Sequence, residues 1–85
     1  MNWELRLRKR AKKNILRFPR RDQLHVTIAL REISSNPYTG DTVKLEGEKN
    51  SWRRRVGAYR IFYELNPQEK VISIFRVERR GSKTY

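Results

Sequence analysis

Residues 51–65 read SWRRRVGAYRIFYEL, and the parsing of this stretch sets the rest of the fold. Trp52 opens it, Arg53, Arg54 and Arg55 follow, Gly57-Ala58 interrupts, and Tyr59-Arg60 leads into an apolar run. A short glycine-led break between such segments predicts a tight turn joining two strands, about 52–56 and 59–65. Successive side chains of a strand point to opposite faces, so Trp52, Arg54 and Val56 share one face and Arg53 and Arg55 the other. With Trp52 and Val56 packed in the core, Arg53 and Arg55 lie on an open face. Arg54 falls on the apolar side and is expected to reach the sheet margin along its aliphatic stem.

Downstream, Asn66-Pro67-Gln68-Glu69 predicts a turn into a third strand, about 70–77, and the tail RRGSKTY is short and polar. Upstream, NPYTGDTVKLEGEKN (36–50) reads as a turn-rich loop punctuated by Pro37, Gly40 and Gly47. Before it come two helices. One runs from Lys9 to Arg17, with Ala11, Ile15 and Phe18 at helical spacing and Pro19 as its stop. The other is capped by Asp22, carries Leu24, Val26, Ile28, Leu30 and Ile33 at three- and four-residue steps, and ends at Ser34-Ser35-Asn36-Pro37. Trp3, Leu5 and Leu7 alternate with Glu4, Arg6 and Arg8, the period of a half-buried strand. The expectation is a single α+β domain over 1–85: strand, two-helix hairpin, then a three-stranded antiparallel meander with the helices on one sheet face.

Eighty-five residues leave room for one small domain, which buries only about 60–65% of its unfolded surface. There is no cysteine, hence no disulfide framework and no cysteine-based zinc site. No stretch is apolar enough for a membrane span or a secretory leader, and a cytoplasmic location is expected. The charge is +12, with 21 Lys and Arg against 9 acids. It is uneven: residues 1–21 carry +8, residues 22–48 carry −3 and residues 49–85 carry +7. Two basic blocks around a mildly acidic middle fit a polyanionic partner, either nucleic acid or an acidic protein segment.

The chemistry available is that of arginine, lysine and tyrosine. The sequence holds no Ser-His-Asp set, no phosphate-binding glycine loop and no metal-ligand cluster, and the lone His25 reads as a helix-surface or packing residue. Guanidinium forks bind phosphate oxygens bidentately and bind the added charge of a pentacoordinate phosphorane better still. RNA carries its own nucleophile in the 2′-hydroxyl, so cleavage needs only positioning, charge stabilisation and proton transfer. A meander can bring Arg53, Arg55, Arg60, Arg79, Arg80, Lys83 and Tyr85 to one face. The residues alone fit RNA cleavage, passive nucleic-acid binding or protein binding.

KLEG (44–47), WRRRVGAYRIFYEL (52–65) and KVISIFRVERRGSKTY (70–85), placed after a helical hairpin, resemble the RelE/ParE superfamily of toxins from toxin–antitoxin pairs. The resemblance spans nearly the whole chain and is most specific from Trp52 to Tyr63. It implies an activity for the RelE-like branch: ribosome-dependent cleavage of the mRNA codon in the A site, by attack of the ribose 2′-oxygen, without metal or other cofactor. It also implies roles. Arg60 matches the phosphate-stabilising arginine, Arg79 the arginine that supports the transition state or leaving group, and Tyr85 the terminal tyrosine that stacks on the substrate nucleotide. Arg53 falls at a charge-stabilising lysine. Lys44, Lys49, Arg55, Arg80 and Lys83 are the further RNA-binding cations expected.

The departures from the family concern proton transfer. Ser51 stands where a second catalytic lysine is expected, leaving Lys49 or Lys44 as the nearest lysines. Asp41 approximates the glutamate base of a YoeB-like branch, and Thr84 replaces that branch's penultimate histidine. Arg54 replaces a usually apolar residue. The partners implied are the ribosome, mRNA and a cognate antitoxin with an amphipathic helix and an acidic segment. DNA contact belongs to the antitoxin, and no membrane is involved. The alternatives carried forward are a ParE-like gyrase inhibitor and a catalytically weak homologue that only binds antitoxin or RNA.

Overall fold

The computed structural model describes residues 3–47 and 50–80. In chain order these form β1 (Glu4–Leu7), α1 (Lys9–Leu16), α2 (Arg20–Ser35), β2 (Thr42–Lys44), β3 (Ser51–Val56), β4 (Tyr59–Asn66) and β5 (Val71–Arg79). The expected α+β class and element order hold. One strand was not expected: β2 lies within the segment read as loop. It pairs antiparallel with β3, Val43 opposite Arg53, so the meander is flanked by a further strand. The sheet has five strands in the order β1-β5-β4-β3-β2. All pairings are antiparallel except that of β1 with β5, which is parallel.

One face of the sheet packs on the helices. Tyr59, Ile61, Tyr63 and Leu65 of β4 alternate inward and meet Ile72, Ile74 and Val77 of β5, Val26, Ala29, Leu30 and Ile33 of α2, and Ala11 of α1. Trp52 and Val56 pack against this core as expected. The buried stripe of α2 follows helical spacing from Val26 to Ile33, which leaves Leu24 (59% exposed) and Ile28 (46% exposed) on another side of the helix. The start of α2 also differs from expectation. Pro19, not Asp22, is the N-cap, with no side-chain capping bond. Proline has the fixed φ a helix entry needs and no N–H to satisfy. Asp22 instead lies in the first helical turn and accepts the Tyr59 hydroxyl proton in a short hydrogen bond.

The Gly57-Ala58 turn forms as read, with Gly57 at φ +55 and Val56 paired to Tyr59. A two-residue hairpin requires positive φ there, which only glycine adopts cheaply. At the other edge, β1 covers only Val71–Ile74 of β5. The chain then leaves the sheet: Arg8 N–H donates to the Ile74 carbonyl at 2.9 Å and α1 begins. Beyond this point the Val77 N–H is taken by Asn14 Oδ1 of α1 at 3.0 Å. A helix side chain thus replaces a strand partner at an otherwise open sheet edge.

A bulge sits at this same place. Tyr63 pairs with Ile74 but Phe62 pairs with Arg76, leaving Phe75 as an extra residue in β5. An inserted residue reverses the inward–outward alternation of everything after it. Val77 therefore returns to the core at 2% exposure, while Arg76 and Glu78 take the open face.

Candidate functional site

The register of the sheet arranges the open face in rows. Val43, Arg53, Phe62 and Arg76 lie side by side across β2, β3, β4 and β5. The next row holds Arg55, Arg60 and Glu78. Three guanidinium groups, those of Arg53, Arg60 and Arg76, are thereby held on adjacent strands. Each has a shielded N–H, a condition shared with Trp52 Nε1 and with Arg54 Nε and Nη1 on the helix-covered side. Arg53 Nη1, Arg60 Nε and Arg76 Nε are all shielded from solvent and have no hydrogen-bond partner. A buried N–H donor without an acceptor costs about 1–3 kcal/mol, and more when charged.

Some compensation is present. The Glu78 carboxylate is 3.3 Å from Arg60 Nε, an ion pair without hydrogen-bond alignment, and 3.8 Å from Arg76 Nη1. Asp41 lies 3.7 Å from Arg55 Nε at the outer edge. Arg76 also rests its guanidinium 4.1 Å above the centroid of the Phe62 ring, a cation–π contact that helps account for the burial of Phe62 outside the core cluster.

Of the residues expected at the site, Arg53, Arg55 and Arg60 come together on the open face. Arg79 pairs with Tyr59, and this register puts it on the helix-covered side of the sheet, where its charge opposes the rise in the Tyr59 pKa. Lys44 is exposed and opposite Trp52, again on the helix side. Arg80 is exposed at the end of β5, its N–H donating to the Ala58 carbonyl. Lys49, Lys83, Thr84 and Tyr85 lie outside the described residues. Two residues of the cluster, Arg76 and Glu78, were not singled out from sequence. A signal for them exists: apolar core residues at 72, 74 and then 77 break the two-residue period, which marks a bulge between Ile74 and Val77.

Arg54 is a structural residue. Its side chain is 11% exposed and pairs with Glu32 of α2 at 2.5 Å. It does not run out to the margin as a free cation; it ties β3 to the helix. Gly40, at φ +79, covers it so closely that a Cβ there would lie 2.8 Å from the guanidinium carbon.

The sequence matches, over residues 5–83, the model of the family described as the ParE toxin of type II toxin–antitoxin systems, parDE. The chain belongs to this ParE toxin family, within the RelE/ParE superfamily. Solved structures agree on the fold of this toxin chain. The RelBE2 toxin–antitoxin complex from Mycobacterium tuberculosis superposes with a TM-score of 0.85 at 22% identity, covering 94% of this chain and 100% of that one. The archaeal RelE–RelB complex from Pyrococcus horikoshii gives 0.82 at 26% identity, covering 96% and 99%. The RelB–RelE complex from Methanococcus jannaschii gives 0.66 at 30% identity, covering 91% and 92%. No protein of curated function matches the sequence. Among the described residues, no helix of the toxin is long and apolar enough to cross a membrane, and no group of three or more His, Cys, Asp or Glu is placed to hold a metal ion.

Proposed function

We propose that this toxin is a ribosome-dependent mRNA endonuclease that cleaves the A-site codon by attack of the 2′-hydroxyl on the adjacent phosphodiester. The observation that carries the proposal is the trio of Arg53, Arg60 and Arg76, which the strand register sets side by side on one open face. Non-bridging phosphate oxygens are acceptors of the right charge for such donors. Charge grows on those oxygens as the phosphorane forms, so the same contacts strengthen on the way to the transition state. In this reading the 2′-oxygen forms a bond to phosphorus, the P–O5′ bond breaks, and the products are a 2′,3′-cyclic phosphate and a 5′-hydroxyl. One proton leaves the 2′-hydroxyl and one is delivered to O5′.

Arg60 and Arg53 bind the phosphate with Arg76 beside them, and Arg79, on the helix-covered side of the sheet, takes no part at that phosphate. Tyr85 stacks on the substrate nucleotide. Lys49, Arg55, Arg80 and Lys83 hold flanking phosphates, and no metal or other cofactor takes part. Arginine stays protonated at neutral pH and does not serve as the base. The ribosome, in the cytoplasm, supplies the mRNA in a cleavable geometry that a weak proton-transfer set does not impose unaided.

The solved relatives include RelB–RelE complexes, which supports a cognate antitoxin here. Leu16, Leu24 and Ile28 are exposed on the helices among Lys13, Arg17, Arg20, Arg21 and Arg31. Leu24 and Ile28 are one helical turn apart. An amphipathic antitoxin helix with an acidic flank complements that surface.

The test uses purified protein, a defined mRNA and 70S ribosomes with an empty A site, with ends mapped by primer extension. Cleavage confined to the A-site codon and dependent on ribosomes supports the proposal. No cleavage under either condition, with inhibition of gyrase supercoiling, favours the second reading of a ParE-like gyrase inhibitor, for which the description of the matched family speaks.

A further inference from the structure

The bulge in β5 does more than reverse an alternation. It turns Phe75 and Arg76, consecutive residues, toward the open face, where Phe75 meets Phe62 with ring centroids 6.2 Å apart and planes tilted by 38°. Leu45, just beyond β2, closes a third side. Arg10 of α1 and Arg76 form the rim of the resulting depression, whose volume is about 240 Å³. That is below the roughly 300–1,000 Å³ of a drug-sized ligand site and suits one flat ring system. Its floor is aromatic and aliphatic, its rim is cationic, and it adjoins the row that carries Arg53.

A larger groove, about 750 Å³, lies at the other end of the sheet around Arg6, Arg8, Glu64 and Glu69. There the cations are already matched: Arg6 pairs with Glu4 at 2.8 Å and Arg8 with Glu64 at 2.9 Å. The smaller depression differs in having Arg76 Nε buried and without a hydrogen-bond partner. Size favours the first and chemistry the second; unmatched donors beside an apolar floor are the stronger argument for a ligand.

We propose that the depression formed by Phe62, Phe75, Leu45, Arg10 and Arg76 is a subsite for one nucleobase of the RNA, next to the phosphate held by Arg53 and Arg60. The inference rests on the RNA reading above and deepens it. Single-stranded nucleic-acid sites combine a basic track with rings or guanidinium planes on which bases stack. Here the Arg76 guanidinium, 4.1 Å over the Phe62 ring, and the Phe75 ring line the depression and supply the stacking surfaces. The guanidinium of Arg76, whose side chain is 35% exposed, donates to a base carbonyl or ring nitrogen.

Heteronuclear NMR titrations of the full chain test this with two probes, AMP and ribose 5-phosphate. The second carries the phosphate without the base. AMP is expected to bind more tightly than ribose 5-phosphate, by about fivefold or more, the low end for base stacking on an aromatic side chain. Phe75→Ala abolishes that difference and leaves ribose 5-phosphate unchanged, whereas Arg60→Ala weakens both probes. Phe75→Leu, which keeps apolar volume, guards against a folding defect and is expected to behave like the alanine variant. Equal affinity for the two probes in the wild type overturns the base subsite and leaves the phosphate site standing. If neither probe shifts the Arg53 and Arg60 side-chain signals, the phosphate site falls and the subsite with it. If the Phe75 variants bind AMP normally but lose antitoxin affinity, the depression is a socket for a protein side chain and the nucleobase assignment is wrong.

Discussion

Arg60 and Glu78 stand opposite each other on β4 and β5, 3.3 Å apart, yet the Arg60 Nε–H is not aimed at the carboxylate. Among the described residues, Glu78 is the acid that pairs with Arg60 and Arg76 of the cluster, and it competes with any anion that approaches them. Removing its charge while keeping its shape exposes the competition. Glu78→Gln is expected to bind single-stranded RNA about two- to fivefold more tightly at low salt, the scale of one partly exposed ion pair, with the gain shrinking as salt rises. Filter binding across a salt series checks this, and unchanged affinity at all salts counts against it.

Arg54 and Glu32 are an asymmetric pair, because the Arg54 side chain is 11% exposed and that of Glu32 is 55% exposed. Glu32→Ala leaves a buried guanidinium without its counter-ion and is expected to cost about 2–4 kcal/mol. Arg54→Met fills the same space without charge and leaves Glu32 to water, so its expected cost is about 1 kcal/mol or less. Urea unfolding of the two variants gives the order directly. A larger loss for Arg54→Met would show that the pair's charge matters less than its packing.

Much of this fold is legible in the sequence because its strongest signals are local. The run from Tyr59 to Leu65 buries alternate residues, and Pro19 and Pro37 bound α2. What escaped depends on tertiary context. β2 is three residues long with an exposed Val43 and gains its identity only by pairing with β3. Asp22 has the chemistry of a cap but is drawn to the Tyr59 hydroxyl. Of the site, Arg53, Arg55 and Arg60 follow from simple alternation. Arg76 and Arg79 exchange faces because of one inserted residue, Phe75. Without the bulge, Arg79 belongs to the open face and Arg76 to the core side.

That bulge is held by Asn14, whose side-chain oxygen accepts the Val77 N–H at 3.0 Å. Asn14→Ala leaves that N–H without its acceptor at the point where the strand changes phase. The expected cost is about 1–2 kcal/mol in stability. It is accompanied by faster amide exchange at Val77 and shifted Phe75 and Arg76 resonances. Hydrogen exchange measured by NMR checks it; protection at Val77 equal to the wild type removes Asn14 from the account.

Tyr59 gives the fold a pH dependence at the alkaline end. Burial first, then the hydrogen bond to Asp22 and its charge, push its pKa from 10.0 up to about 12. A raised folded-state pKa means that Tyr59 contributes stability fully below pH 10 and loses it as pH climbs toward 12. Tyr59→Phe lacks both the bond and the titration. It is expected to be less stable at pH 8, by about 1 kcal/mol, and to lose less than the wild type between pH 10 and 12. Every other ionisable group is common to both proteins, so the difference between the two curves isolates Tyr59; parallel curves contradict the assignment.

If the open-face arginines stabilise phosphate charge during RNA cleavage, removing one of them slows the chemical step. Single-turnover cleavage of a defined mRNA on 70S ribosomes, comparing the wild type with Arg60→Ala, tests it most directly, with circular dichroism and thermal unfolding confirming that the variant is folded. Arg60→Ala is expected to cleave about 100- to 1,000-fold more slowly, the effect of removing one donor to a developing oxyanion. A folded Arg60→Ala protein that cleaves the A-site codon at the wild-type rate would contradict it.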